Sequence, residues 1–425
     1  MATTAQLIEA MKYNYGSTRL ERLMNKSHST WNLFKKTMHP FGGRGQWIVP
    51  ILHQLSEGIV GIDEGGSLPS NLNPNTAEAV FALQEMAGVY TVTWKGISDA
   101  RSNKFAFERF VELHDKSFRL AWAQDLNNAI LDDGRGRLAV LPAADNTSAV
   151  TVSRPIRARQ GMVVDIMDTD NTTKHLDSGT ISAVDTVANT ITVSGTITGT
   201  AASDYFVRQD TTDGAAGEAR HLHGIIGIVD NDDPAAVVGD YGGIDRGTAG
   251  NEFWEAVVLS NGGTNRTITE DLIIQGSLDS RLKGGGSVDA LITNPSIYRR
   301  YYDLFLNDRY IVQTNGESGG MSGSLGPKGL QSIGDDGKTQ LSLSGIHLYM
   351  DDFAVANTIV GVDRSTFSIG HGQNKFPQPV SDTFSRANFF RDTTNATFDV
   401  AWWGAWQLIC DNPAANFKLE DIAES

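Results

Sequence analysis

The chain has 425 residues, enough for two or three domains of ordinary size. Hydrophobic residues at 40% and charged residues at 20% exclude disorder over the whole length, and no run of about 18 apolar residues provides a membrane-spanning helix. The net charge is −15, but residues 1–45 carry seven basic side chains (Lys12, Arg19, Arg22, Lys26, Lys35, Lys36, Arg44) against Glu9 and Glu21, net +5, which leaves −20 on the remainder. An acidic body argues against general nucleic-acid binding, because affinity for phosphates rests on Lys and Arg. The opening stretch MATTAQLIEAMKYNYG has no apolar core of the signal-peptide kind. A lone cysteine, Cys410, allows no intrachain disulfide and no cysteine-based metal site.

Residues 1–37 read as helical. Thr18 and Glu21 have capping-box spacing ahead of Leu23 and Met24, and Trp31, Leu33 and Phe34 resume after a polar stretch. The segment is too poor in apolar residues to build a core, so it lies on its own body or on another chain. Its basic residues are those of a solvated helix or of a contact with an acidic partner or neighbouring subunit.

Residues 40–97 read as a long two-stranded excursion. Gln46–His53 (QWIVPILH) and Ala87–Trp94 (AGVYTVTW) are its expected strands, and the stretch between is rich in Gly, Pro, Asn and Ser. An isolated hairpin is marginal in water, so this one is expected to pack on a partner.

Residues 98–133 carry Phe107, Phe110, Val111, His114, Phe118, Trp122, Leu126, Ala129 and Ile130 at helical spacing, and Gly134 stops the run. A helix of about 33 residues would be roughly 50 Å long, a spine rather than an element of a compact globule. Residues 150–210 alternate short β-like runs (GMVVDIM, TISAVDT, NTITVSG, DYFVRQ) with turns, the pattern of an inserted all-β barrel or sandwich.

Residues 265–380 alternate helix and strand. Thr269 precedes Glu270 and Asp271 at a helix start, the run continues to Leu282, and Gly284–Gly286 ends it. Val288–Thr293 reads as a buried strand. Asn294 and Pro295 then open a second helix, with Asn as N-cap and Pro at the first helical position, and with Ile297, Tyr298, Tyr301, Leu304 and Phe305 as its stripe. This is an α–β–α unit of an α+β domain. Residues 315–340 read as a flexible loop. Residues 396–413 read as a strand with Phe398, Val400, Trp402, Trp406 and Leu408 on one face.

Residues that suggest chemistry are few. His221 and His223 (HLH) have a spacing that binds metal when both lie on one face of a strand, but no third ligand is identifiable. Asp165, Asp168 and Asp170 resemble a calcium loop loosely, without its Gly and distal Glu, and fit turn-forming roles better. Asp230, Asp232 and Asp233 read as an acidic turn before Pro234. Trp402, Trp403 and Trp406 suggest a sugar platform if exposed, and a core strand on the long helix if buried. No phosphate-cradling loop, nucleophile elbow or His-Glu-x-x-His motif occurs, so no catalytic, cofactor-binding or metal residue is assigned, and no enzyme activity or cofactor is expected.

The order of basic arm, hairpin, spine helix, β insertion, α+β domain and Trp-rich strand resembles the major capsid protein of tailed bacteriophages, with the Hong Kong 97-like fold. LDSRLKGGGSVDALITNPSIYRRYYDLF (278–305) looks like that family's central A-domain segment. WQLICDNPAANFKLEDI (406–422) looks like its C-terminal peripheral ending. The resemblance implies an N-terminal arm over 1–39, an E-loop hairpin over 40–97, and spine helix with peripheral domain over 98–149. It places the inserted β module at 150–210, the peripheral return at 211–264, the axial domain at 265–385 and the C-terminal peripheral strand at 386–425.

The same resemblance implies self-assembly, through heterologous contacts of the arm and the E-loop, as hexamers and pentamers into an icosahedral virion shell, built in the host cytoplasm around double-stranded DNA bound without sequence specificity. Scaffolding and portal proteins are implied partners, with a decoration protein as a further candidate and no membrane contact. Some members of that family join subunits through a Lys–Asn bond catalysed by Glu. The stretch between Ile59 and Glu78 has no lysine, the nearest being Lys95, so no such crosslink is expected. The chain opens at the arm without a charged helical leader, which implies a separate scaffolding protein or a share of that work for the insertion. Three alternatives stand beside this reading. An encapsulin-like nanocompartment would co-purify with cargo, a carbohydrate-binding or carbohydrate-active β protein would expose its tryptophans, and a tail tube subunit would lack the long helix.

Overall fold

The computed structural model describes residues 29–38, 46–57, 59–67, 70, 73–94, 104–169, 171–209, 211, 221–232, 240–307, 330–331, 340–343, 346–372, 378–379, 390–391 and 397–424. The Thr18–Glu21 capping box, Asp170, Asp233, Lys95 and most of the 315–340 loop lie outside them. The architecture is α+β; the described residues form three sheets of six or seven strands, one two-stranded hairpin and three helices longer than ten residues.

The first sheet is organised by the strand Thr397–Cys410. Its N-terminal part pairs antiparallel with Gln84–Thr93, from Thr397↔Thr93 to Trp406↔Gln84. Its C-terminal part pairs with Phe367–His371, which in turn holds Lys35–Met38 in parallel. The helix Lys104–Ile130 has 27 residues and is about 40 Å long. It lies across this sheet through Phe118 on Trp402 (centroids 5.9 Å apart) and Trp122 on Trp406 (6.4 Å). Close approach needs a missing side chain: a Cβ on Gly88 of the neighbouring strand would stand 2.6 Å from the Trp122 ring. The helix ends at Ile130, ahead of Gly134. Its last turn tightens, with Asp132 N–H donating to Ala129 O at 3.3 Å.

The excursion is paired differently from expectation. Gln46–Gln54 pairs with Asn75–Ala82, from Gln46↔Ala82 outward, and not with the Ala87–Trp94 run. That run joins the terminal strand instead. The Asn75–Ala82 segment has weak β character, being rich in Ala with Asn and Glu. Tertiary packing decides its state: Ala79 and Phe81 are buried, and Phe81 meets Tyr241 at 5.1 Å.

The second sheet is a nearly closed barrel. Its strands Ala139–Val140, Tyr205–Arg208, Val163–Met167, Lys174–Asp185, Thr190–Val193 and Ala149–Thr151 follow one another in that spatial order. The two ends approach where Ser153 N–H donates to Val140 O at 2.8 Å. Val150, Val164, Ile166, Ile181, Ile191 and Phe206 fill it, a core separate from the others.

The third sheet has the order Val257–Leu259, Phe417–Leu419, Ile359–Val362, Ala290–Thr293, Ile346–Met350, Gln340–Leu343, Leu330–Gln331. The helix Glu270–Gly284 starts at Thr269, whose Oγ1 accepts Leu272 N–H at 3.4 Å, and stops at Gly285 with φ 69°. The helix Pro295–Asn307 is capped by Asn294, whose Oδ1 accepts Ile297 N–H at 3.0 Å. Phe417 is clasped between Gly276 on the first of these helices and Gly361 on the adjoining strand.

Two buried polar nodes tie these layers together. Asp351 accepts from Thr30 Oγ1 (2.8 Å) and Asn127 Nδ2 (2.9 Å), so the arm, the long helix and the third sheet meet at one carboxylate. Arg157 of the barrel donates to Phe353 O (2.6 Å), Arg137 O (3.0 Å) and Leu131 O (3.3 Å). Asp125 on the long helix takes Arg159 and Arg208 of the barrel at 2.6 and 2.5 Å. The insertion is thus mounted on the helix end by three arginines.

Candidate interaction surface

The residues singled out for chemistry are dispersed. His221 and His223 lie in irregular chain before the short helix Ile225–Ile228, not on a strand. His221 lines a cavity of about 270 Å³ with Glu85, Asp125, Asn128 and Arg208. His223 packs edge-on against Tyr241 at 5.5 Å. Burial pushes both imidazoles below their ordinary range, His223 to about 4 with Arg246 adding to the effect, so both are neutral. Among the described residues, no group of three or more His, Cys, Asp or Glu gathers in a way that could hold a metal ion.

The acidic residues serve local structure. Asp165 is fully buried and accepts from Lys174 Nζ (2.9 Å) and Ser178 N–H (2.8 Å). Asp168 closes its turn by accepting Thr172 N–H and Oγ1, both at 2.8 Å. Asp230 pairs with the buried Lys418 at 2.7 Å, and the Asp232 carbonyl accepts from Arg246 at 3.1 Å. Cys410 is buried, and burial pushes its thiol up to about 12, far from a reactive thiolate.

The tryptophan cluster splits. Trp402 and Trp406 are 3% and 0% exposed, whereas Trp403 is 38% exposed. Two of three rings are therefore core, as alternation along the strand requires. A stacking platform for sugar rings is not assembled.

What the fold does present is an apolar surface on the hairpin. Along Gln46–Gln54 exposure alternates strictly. Trp47, Val49 and Ile51 turn towards the central core, and His53 stacks on Phe253 at 4.4 Å. Ile48 and Leu52 face outward and are exposed. Beyond the strand, Leu55, Val60 and Ile59 are 72%, 64% and 97% exposed, and Ile62 is exposed as well. Single exposed apolar residues are ordinary, but a contiguous run of them on an extended element marks a site of association. A second apolar row, Ile274, Leu278 and Leu282, lies at i, i+4, i+8 on the outer side of the helix Glu270–Gly284. The sequence placed the hairpin but not this row, because the core stripe of the same helix (Ile273, Gly276, Ser280) is itself weakly apolar.

No family model matches the chain, and no curated protein matches it. Among solved structures, a chain of the cyanophage A-1(L) capsid asymmetric unit aligns with a TM-score of 0.53 at 12% identity, covering 99% of this chain and 98% of that one. A Mycobacterium phage Bobi chain (TM-score 0.45, 10% identity) covers 99% of this chain and is itself covered over 98% of its length. The holo-SrpI encapsulin complex from Synechococcus elongatus PCC 7942 (TM-score 0.45, 8% identity) covers 98%, with 96% of that chain aligned. The first alignment takes in helix, hairpin, insertion and all the sheets. The chain has an α+β fold that it shares over nearly its whole length with the cyanophage A-1(L) capsid chain.

Proposed function

We propose that the chain is a phage major capsid protein, which self-assembles as hexamers and pentamers into an icosahedral shell enclosing double-stranded DNA. The observation that carries this is the hairpin: on a capsid-type fold, its outer face and tip expose a run of apolar side chains that one copy does not cover. Shells of one chain close through heterologous contacts, which need a projecting element and a different receiving surface on the same molecule. The protein is then a virion component, assembled in the host cytoplasm with scaffolding and portal proteins, with or without a decoration protein. Its contact with DNA is without sequence specificity, in keeping with a chain of net charge −15.

Its work is structural rather than enzymatic. The shell is held by noncovalent contacts, since the exposed tip offers no lysine for an intersubunit amide. The 139–208 barrel, fixed by Arg157, Arg159 and Arg208, is a rigid accessory of the subunit. Expression with and without co-expressed phage proteins, followed by sedimentation and negative-stain electron microscopy, tests the assignment. Closed shells or five- and six-membered rings are expected. A monomer under every condition overturns it, and shells that hold a cargo enzyme in place of DNA would make it a nanocompartment.

A further inference from the structure

The helix Glu270–Gly284 buries one side and leaves apolar side chains on the other. Ile273, Gly276 and Ser280 are buried, with Gly276 against the Phe417 ring. On the outer side Ile274, Leu278 and Leu282 are 41%, 52% and 84% exposed. Residues at i, i+4 and i+8 form one continuous ridge, the feature by which a helix packs into the groove of another. Leu278 stands at its midpoint.

The charges on this helix run in one direction. Glu270 and Asp271 are exposed in its first turn, and Arg281 and Lys283 are exposed in its last. The pattern suits the dipole of the helix itself, and it also makes the ridge complementary to a copy of itself. Two such ridges set antiparallel about Leu278 bring Leu278 onto Leu278, and Ile274 onto Leu282 on both sides of it. At a rise of about 1.5 Å per residue, Arg281 of one copy then stands about 6 Å along the axis from Asp271 of the other, within reach of its guanidinium. A parallel pair would lay acid beside acid. Lys283 is engaged within its own chain, with Glu255 at 2.9 Å, which leaves the cross-copy role to Arg281.

We propose that the unassembled chain pairs with a second copy through this ridge, across a two-fold axis at Leu278. A two-fold contact needs a surface complementary to itself, and an apolar row with acid at one end and base at the other has that property. The contact is small. Ile274, Leu278 and Leu282 fall short of the roughly 1,200 Å² that a standing dimer buries, so the pair is weak and exchanges readily. It belongs to the free subunit, whether or not shells form.

Cysteine trapping on the full-length, unassembled chain reads the register. Cys410, the one native thiol, is buried and gives no background. A disulfide needs Cα atoms within about 7 Å of each other. Under mild oxidation L278C is expected to form a covalent dimer. I274C and L282C each stand about 12 Å along the axis from their own counterparts, so they are expected to stay monomeric alone and to join when mixed. I274C joining itself overturns the antiparallel pair, and no join in any of these samples overturns the proposal. Sedimentation equilibrium of the cysteine-unaltered chain gives a second reading. Leu278→Glu is expected to raise the dissociation constant at least tenfold and to leave the thermal midpoint unchanged, the side chain being exposed. A parent chain that is monomeric at about 1 mM, or a variant constant equal to the parent's, overturns the proposal. D271R and R281D are each expected to weaken the pair about fivefold at low salt and to restore it when mixed. A mixture as weak as either variant alone overturns the charge pairing.

Discussion

The hydroxyl of Thr30 donates to Asp351 at 2.8 Å, across 321 positions of sequence. The same carboxylate takes Asn127 Nδ2 at 2.9 Å and Phe353 N–H at 3.0 Å, and it is fully buried. Removing it strands several buried donors at once. Asp351→Ala is expected to destabilise the unassembled chain by about 3–5 kcal/mol, and Thr30→Val by about 1 kcal/mol. Urea midpoints at constant slope give both numbers.

Arg157 is the main fastening of the barrel. Its side chain is buried, and its donors reach three carbonyls and Asp132. Burial alone would push the Asp132 carboxyl up, but Arg137 and Arg157 beside it hold it below the ordinary value. Arg157→Met is expected to loosen the joint by about 3 kcal/mol while the barrel core stays intact. Hydrogen exchange should then rise at 131–138 and 353–356 and stay unchanged at Val164 and Ile191.

Acid should weaken the fold before the carboxylates titrate. His223 is held neutral in the folded chain at about 4, while an unfolded histidine takes its proton near 6.5. The unfolded state therefore binds more protons between these values, and stability falls as pH is lowered from about 6.5 towards 4. The contribution is of order 3 kcal/mol at most, with His221 acting in the same direction. His221→Gln/His223→Leu should flatten the stability profile between pH 7 and 4.5, measured by denaturant midpoints.

The two faces of the terminal strand should respond very differently to truncation. Trp406 is fully buried against Trp122, so Trp406→Ala is expected to cost about 3–5 kcal/mol. Trp403 is half-exposed, and Trp403→Ala is expected to cost well under 2 kcal/mol. Equal losses in thermal unfolding would contradict the packing described.

The tip of the hairpin should matter to assembly and not to the monomer. Ile59→Asn with Val60→Asn alters two exposed side chains and is expected to change monomer stability by less than about 0.5 kcal/mol. Shell yield by sedimentation should nonetheless fall severalfold.

Local signals were readable in the sequence and distant ones were not. Both helices of the third sheet have caps whose partners lie three residues away, Thr269 with Leu272 and Asn294 with Ile297, so their starts are legible. The long helix announces itself through Phe118, Trp122 and Leu126. The strand Asn75–Ala82 has no such signal, since its state depends on Gln46–Gln54 and on Tyr241. The destination of Gln84–Thr93 is a strand some 300 residues later, which alternation cannot reveal. The barrel takes its edge from Ala139–Val140, too short to read as a strand. At the surface, the lack of lysine between Ile59 and Glu78 was visible, whereas the exposure of Ile59 and Val60 needed the fold.

The terminal segment has a consequence for synthesis. Thr397–Cys410 sits inside one sheet and Phe417–Leu419 inside another, and every strand they pair with precedes them in the chain. On the ribosome, both sheets wait with an open slot until these residues emerge. A nascent chain that has not yet delivered Thr397–Cys410 leaves Trp122 without Trp406 and the Tyr241 hydroxyl without the Leu408 carbonyl, so the central core closes last along the chain.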